Sequence, residues 1–86
     1  MDSYQISWKA SAKKELRKIQ PQIIPKIIEV VESLAADPYP NGCKKMAGMS
    51  STYRIRKGKY RIIYSVLKNA LIIEIIRVGH RQNIYE

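Results

Sequence analysis

The sequence predicts an α+β fold of order βααβββ, in which an antiparallel sheet carries an N-terminal α-hairpin packed on one face. Three observations predict it. Apolar residues recur at helical spacing in the first half of the chain and at alternating spacing in the second. A cluster of turn formers, Asp37 to Gly42 (DPYPNG), divides the two halves. Short connections at Lys57-Gly58 and Lys68-Asn69 then separate the alternating runs, as in β-hairpins. Helices followed by a run of strands read as a sheet with its helices on one side. With 86 residues, positions 1–86 are expected to form a single domain.

Each element follows from local pattern. "SYQISW" sets Tyr4, Ile6 and Trp8 against Ser3, Gln5 and Ser7, the alternation of a half-buried strand. "ASAKKELRKI" places Ala12, Leu16 and Ile19 on one helical face, with Ser11 as the expected cap and Glu15 in the first turn. In "IIPKIIEVVESLAADP" the stripe is Ile24, Ile27, Ile28, Val31, Leu34 and Ala35. Pro25 is tolerated only in a first turn, so this helix starts between Pro21 and Ile24 and ends before Pro38. An edge strand is expected around Lys45 to Ala47. Three longer strands follow at Tyr53 to Lys57, Lys59 to Leu67, and Ala70 to Val78, the last stopped by Gly79.

Composition excludes several classes. The Ile-rich runs are interrupted by Lys, Glu or Arg within a few residues, too soon for a transmembrane helix. The N-terminus lacks the basic start and apolar stretch of a secretory signal, so a cytoplasmic location is expected. One cysteine, Cys43, and one histidine, His80, exclude an internal disulfide and the usual metal clusters. No cofactor is expected: no Gly-rich phosphate loop follows a strand. Cys43 is expected to pack as a small apolar side chain.

Charge is the informative quantity. Residues 1–43 hold six basic and five acidic side chains, whereas residues 44–86 hold ten basic ones against Glu74 and Glu86. Such asymmetry implies a polyanionic partner, with nucleic acid ahead of an acidic protein and a membrane surface last. The excess is concentrated in "YRIRKGKYRIIYSV", where Arg54, Arg56, Lys57, Lys59 and Arg61 meet no acid. With Lys57-Gly58 as the loop, Arg54 faces Arg61, Ile55 faces Tyr60 and Arg56 faces Lys59. Displacing the loop by one residue is expected to put Arg54 and Arg61 on opposite faces. Like charges facing across a ladder are destabilising. A phosphate held between them would reverse that cost. The residues leave two readings open, a phosphate cradle and a solvated basic edge in which Glu74 neutralises Arg61.

The chain ends in "RVGHRQNIYE". His80, Arg81 and Tyr85 combine groups suited to proton transfer, charge stabilisation and base stacking, and Arg81 is expected to converge with Arg61. Lys44, Lys45, Lys57, Lys59 and Arg77 supply further cations for an RNA backbone.

The run "YRIRKGKYRIIYSV", "LIIEIIRVGHRQNIY", the preceding "LAADPYPNGCKKMAG" and the helical "SAKKELRKI" together resemble the RelE/ParE superfamily of toxins from type II toxin–antitoxin modules. The resemblance covers nearly the whole chain and is closest to RelE-type mRNA interferases. It implies a RelE-like microbial RNase fold and a ribosome-dependent endoribonuclease that cuts mRNA in the A site. In that chemistry the ribose 2′-hydroxyl attacks the scissile phosphate. The family's catalytic positions fall on Arg54, Arg56, Arg61, Arg81 and Tyr85. Implied partners are a cognate antitoxin that wraps the toxin, the ribosome with its mRNA and rRNA, and operator DNA only through the antitoxin complex, with no membrane. One departure stands out. Some members have lysine at the positions of Arg54 and Arg56, and one of those lysines is a suggested general base. Arginine stays protonated, so either His80 serves as acid or base or positioning and electrostatics carry most of the rate. Two rival readings share the fold: a ParE-type toxin that inhibits gyrase without cutting RNA, and a non-catalytic partner of an acidic antitoxin.

Overall fold

The computed structural model describes residues 3–80. Strand β1 (Gln5–Trp8) leads into helices α1 (Ala10–Arg17) and α2 (Ile24–Ser33). Four strands follow, β2 (Lys44–Lys45), β3 (Thr52–Lys57), β4 (Tyr60–Leu67) and β5 (Ile72–His80). All five strands form one sheet in the order β1-β5-β4-β3-β2. The α+β order read from the sequence is therefore present. The sheet is mixed rather than wholly antiparallel, because β1 pairs with β5 in parallel while β2 to β5 form the meander. Alternation in "SYQISW" reports half-burial but not which sheet edge the strand joins. β5 ends the meander and leaves its outer edge open to β1.

Helix α1 starts one residue before the expected cap. Lys9 takes the N-cap position with ψ 147°, and its N–H donates to the Ile75 carbonyl at 3.0 Å. Pairing with β5 thus holds the chain extended until Ala10, and Ser11 lies inside the helix. Glu15 is consequently beyond the first turn and is released from the capping role expected of it. Helix α2 carries Pro25 in its first turn, where the missing N–H costs nothing.

The core lies between the helices and one face of the sheet. Ala12, Ile19, Ile27, Val31 and Leu34 pack against Ile55, Ile62, Tyr64, Val66, Ile73, Ile75 and Val78. Simple alternation along β5 would bring Arg77, not Val78, into this layer. The β4–β5 ladder avoids that with a β-bulge: Ile63 pairs with Arg77, but Tyr64 pairs with Ile75, and Ile76 falls between. Past the bulge, Val78 and His80 share the helix side while Arg77 and Gly79 occupy the other. The strand also runs on through Gly79 to His80, since Gly79 keeps its pairing with Arg61.

The β3–β4 loop is Gly58-Lys59, one residue later than expected. Gly58 has φ +60° and Lys59 has no positive φ. That pattern suits a type II′ turn with glycine at its first central position. Placing Gly58 second would have required a positive φ at Lys57, which a side chain resists. Partners change accordingly: Arg56 faces Arg61, Ile55 faces Ile62, and Arg54 faces Ile63. Faces do not change. Moving a two-residue turn by one displaces both strands together, so Arg54, Arg56 and Arg61 remain on a common side.

Tyr64 ties the Pro-rich loop to the sheet. Its hydroxyl donates to the Pro38 carbonyl at 2.7 Å, and its ring stacks on Tyr53, which meets Tyr39 edge-on. Cys43 packs partly buried against this core, as expected. Burial, with Cys43 as hydrogen-bond neighbour, pushes the Tyr64 phenol well above its ordinary value of 10.0. An acid whose folded pKa is raised contributes stability below its unfolded pKa and loses it as pH rises further. Urea denaturation should therefore show stability falling above pH 10.0, and less steeply in Tyr64→Phe. At neutral pH Tyr64→Phe should cost about 1 kcal/mol, the net worth of one hydrogen bond.

Candidate functional site

Cross-strand register arranges the basic residues in two rows on the sheet face away from the helices. One row runs Lys44, Arg54, Ile63, Arg77 across four strands. The next runs Arg56, Arg61, Gly79. Arg54 and Arg61 are half-buried, whereas Arg56 is exposed. Arg61 has its Nε buried. Ile63 is buried between Arg54 and Arg77 and gives this face an apolar floor. Gly79 adds no side chain beside Arg61. Two arginines facing each other on such a surface are adapted to an anion held between them by charge-assisted hydrogen bonds.

Other candidates lie elsewhere. Lys45 pairs with Tyr53, and Lys57 pairs with Tyr60; both sit on the helix side of the sheet rim, and Lys59 occupies the turn. His80 pairs with Tyr60 and meets its ring edge-on at 5.6 Å between centroids. The sheet therefore separates His80 from the arginine rows. Arg81 and Tyr85 fall outside the described residues. Glu74 pairs with Ser65 and Ser7, five positions along β5 from the register partner of Arg61, so it is not placed to neutralise that arginine. Among the described residues, no group of three His, Cys, Asp or Glu side chains could hold a metal ion.

Sequence reasoning missed the role of Glu15. Beyond Ile75 the outer edge of β5 is no longer covered by β1, and α1 runs beside it. Glu15 fills the gap: Oε1 accepts from the Val78 N–H at 3.0 Å, and Oε2 accepts from Arg77 Nη2 at 3.1 Å and Nε at 3.4 Å. A carboxylate thus substitutes for the carbonyl of a missing neighbouring strand and ties down the bulged end of β5. Part of the Arg77 charge is thereby compensated. Nothing local in the sequence signals this, because Glu15 and Arg77 are 62 positions apart.

A small α+β protein with arginines facing each other across its central hairpin falls in a class of small, strongly basic proteins. Comparison with known proteins narrows it. The family described as "ParE toxin of type II toxin-antitoxin system, parDE" matches residues 6–85. The mRNA interferase toxin RelE of Escherichia coli is 30% identical over 93% of this chain and 85% of its own length. Toxin RelG of Mycobacterium tuberculosis is 28% identical over 95% of both chains. The archaeal RelE in the RelE–RelB complex from Pyrococcus horikoshii superposes with a TM-score of 0.82 at 25% identity, covering 95% of this chain and 99% of that one. The chain belongs to the RelE/ParE superfamily of type II toxin–antitoxin toxins, close to its RelE-type members.

If Glu15 ties down β5, Glu15→Ala should destabilise the domain by about 1–2 kcal/mol. Hydrogen exchange should accelerate at the Val78 amide more than in β3. Glu15→Gln, which keeps an acceptor for that amide, should restore most of the protection.

Proposed function

We propose that this protein is the toxin of a type II toxin–antitoxin module that cleaves mRNA in the ribosomal A site. The facing pair Arg56 and Arg61 carries the proposal. Like charges facing across a ladder repel, whereas a scissile phosphate between them converts that repulsion into binding. The E. coli relative named an mRNA interferase supports the same chemistry.

In this mechanism the ribose 2′-hydroxyl attacks the adjacent phosphate, leaving a cyclic phosphate and a free 5′-hydroxyl. Arg56 and Arg61 hold the phosphate and offset the negative charge that gathers on its oxygens in the transition state, with Arg54 flanking them in the next row. Lys44 extends the track for the RNA backbone. Arg81 is assigned a further share of charge stabilisation and Tyr85 the stacking of the nucleotide. No arginine accepts the proton, because the guanidinium stays charged at any working pH. His80 lies on the other side of the sheet from the pair, so electrostatics and positioning, rather than His80 as base, carry most of the rate in this reading.

A neutralising antitoxin partner is supported by the RelE–RelB complex of the P. horikoshii relative. Ribosomal RNA and mRNA are the proposed targets of the basic face, operator DNA is reached only through the antitoxin complex, and the protein works in the cytoplasm. No helix among the described residues is long and apolar enough to cross a membrane.

The family description favours a second reading, gyrase inhibition of the ParE type. The arginine rows weigh against it, since a purely binding toxin has no need of a facing arginine pair. Mapping mRNA cuts on translating ribosomes alongside a supercoiling assay decides between them. Wild type should cut within A-site codons and leave gyrase active. Arg61→Ala and Arg56→Ala should each lower cleavage by about 100-fold or more, the scale of losing one donor to a developing oxyanion. Intact mRNA with blocked supercoiling would select the ParE reading instead.

A further inference from the structure

The helix side of the sheet holds a second basic feature that the arginine rows do not use. A cavity of about 580 Å³ opens between the α1–α2 connection, the β3–β4 turn and the end of β5. Lys26 lines it from α2, Lys57 from the end of β3, Lys59 from the turn and His80 from β5, while Ile23 and Tyr60 form its apolar wall. None of the described residues lining it is an acid. Its volume lies in the range of small-ligand sites. Tyr60 and His80 stand nearly perpendicular, with 76° between their planes, so one ring offers a face to a planar group while the other closes the side.

We infer that this cavity is a second nucleotide subsite, in which Lys26, Lys57 and Lys59 hold an RNA phosphate and the attached base lies against Tyr60 and His80. The inference rests on the nuclease reading above and adds α2 to the substrate site. Covalent neighbours connect the two faces: Lys57 follows Arg56, and Tyr60 precedes Arg61, so consecutive side chains point to opposite sides of the sheet at the same end of the hairpin. An RNA strand whose scissile phosphate rests on Arg56 and Arg61 needs only to round the Gly58 turn to place a flanking nucleotide in the cavity. An acidic peptide would satisfy the lysines but would place no planar group against the ring that offers its face. That aromatic wall favours single-stranded nucleic acid.

The experiment uses the full chain and a 2′-deoxy trinucleotide, which binds without being cut. His80 is the one histidine of the sequence, so its imidazole NMR signals report on the cavity directly. Those signals should shift as the trinucleotide is added to wild type. Lys26→Gln should weaken binding roughly tenfold and lower the slope of log K against log salt by about 0.7, the value for one phosphate contact on a single strand. Lys14→Gln removes the same charge from an exposed position of α1 and should change neither. If Lys26→Gln matches Lys14→Gln and the His80 signals stay still, while Arg61→Ala still abolishes binding, the subsite is rejected and the nuclease reading stands. If a poly-glutamate peptide shifts the His80 signals and the trinucleotide does not, the cavity belongs to a protein partner and the inference falls. If Arg61→Ala binds as well as wild type and no mRNA is cut, both readings fall together.

Discussion

The pairing of β4 with β5, and the bulge within it, is the constraint on which the rest of the structure depends. β5 sits between β4 and β1, so its side-chain directions govern both the core and the basic surface. One extra residue, Ile76, lets Ile73, Ile75 and Val78 all reach the helices. The same residue fixes Arg77 and Gly79 on the arginine face and His80 on the opposite one. Without it a cation would enter the core layer, where burying an unpaired charge costs several kcal/mol. Past Ile75 the outer edge of β5 lies beyond the end of β1, and the Glu15 carboxylate fills that edge from α1.

The cations show how a small fold tolerates a strong charge imbalance. Helix α1 and β5 exchange an acid for a base at Glu15 and Arg77, which compensates one charge near the core. The hairpin segment from Arg54 to Arg61 contains no acid of its own. Self-repulsion there is offset by the apolar layer beneath, since Ile55 and Ile62 pair directly and are buried on the helix side. Stability and anion binding thus occupy opposite faces of the same two strands. A β-hairpin permits this because its side-chain period is two.

Much of the fold was legible because it depends on local patterns. The stripe of Ile24, Ile27 and Val31, the placement of Pro25, and the alternation of Ile62, Tyr64 and Val66 each report a periodicity that neighbouring residues dictate. The candidate face was legible for the same reason: Arg54, Arg56 and Arg61 share a side in either register. Three details were not. Which arginine faces Arg61 depends on whether Gly58 is first or second in its turn, and both positions accept glycine. The start of α1 depends on Lys9 pairing with a strand 66 positions away. The face of His80 depends on a bulge, and alternating apolar residues cannot reveal one when Ile75 and Ile76 are both isoleucine.

The sequence by itself determined the α+β class, the helix-then-strand order, the basic second half and the common face of the hairpin arginines. All of these follow from spacing and charge along the chain. Only the tertiary structure decided that β1 joins β5 in parallel, that Arg56 rather than Arg54 meets Arg61, and that Glu15 closes the β5 edge. It also decided that Lys26 and His80 share a cavity behind the arginine face. These are contacts between distant segments, settled by which edges and side chains remain unsatisfied once the core has packed.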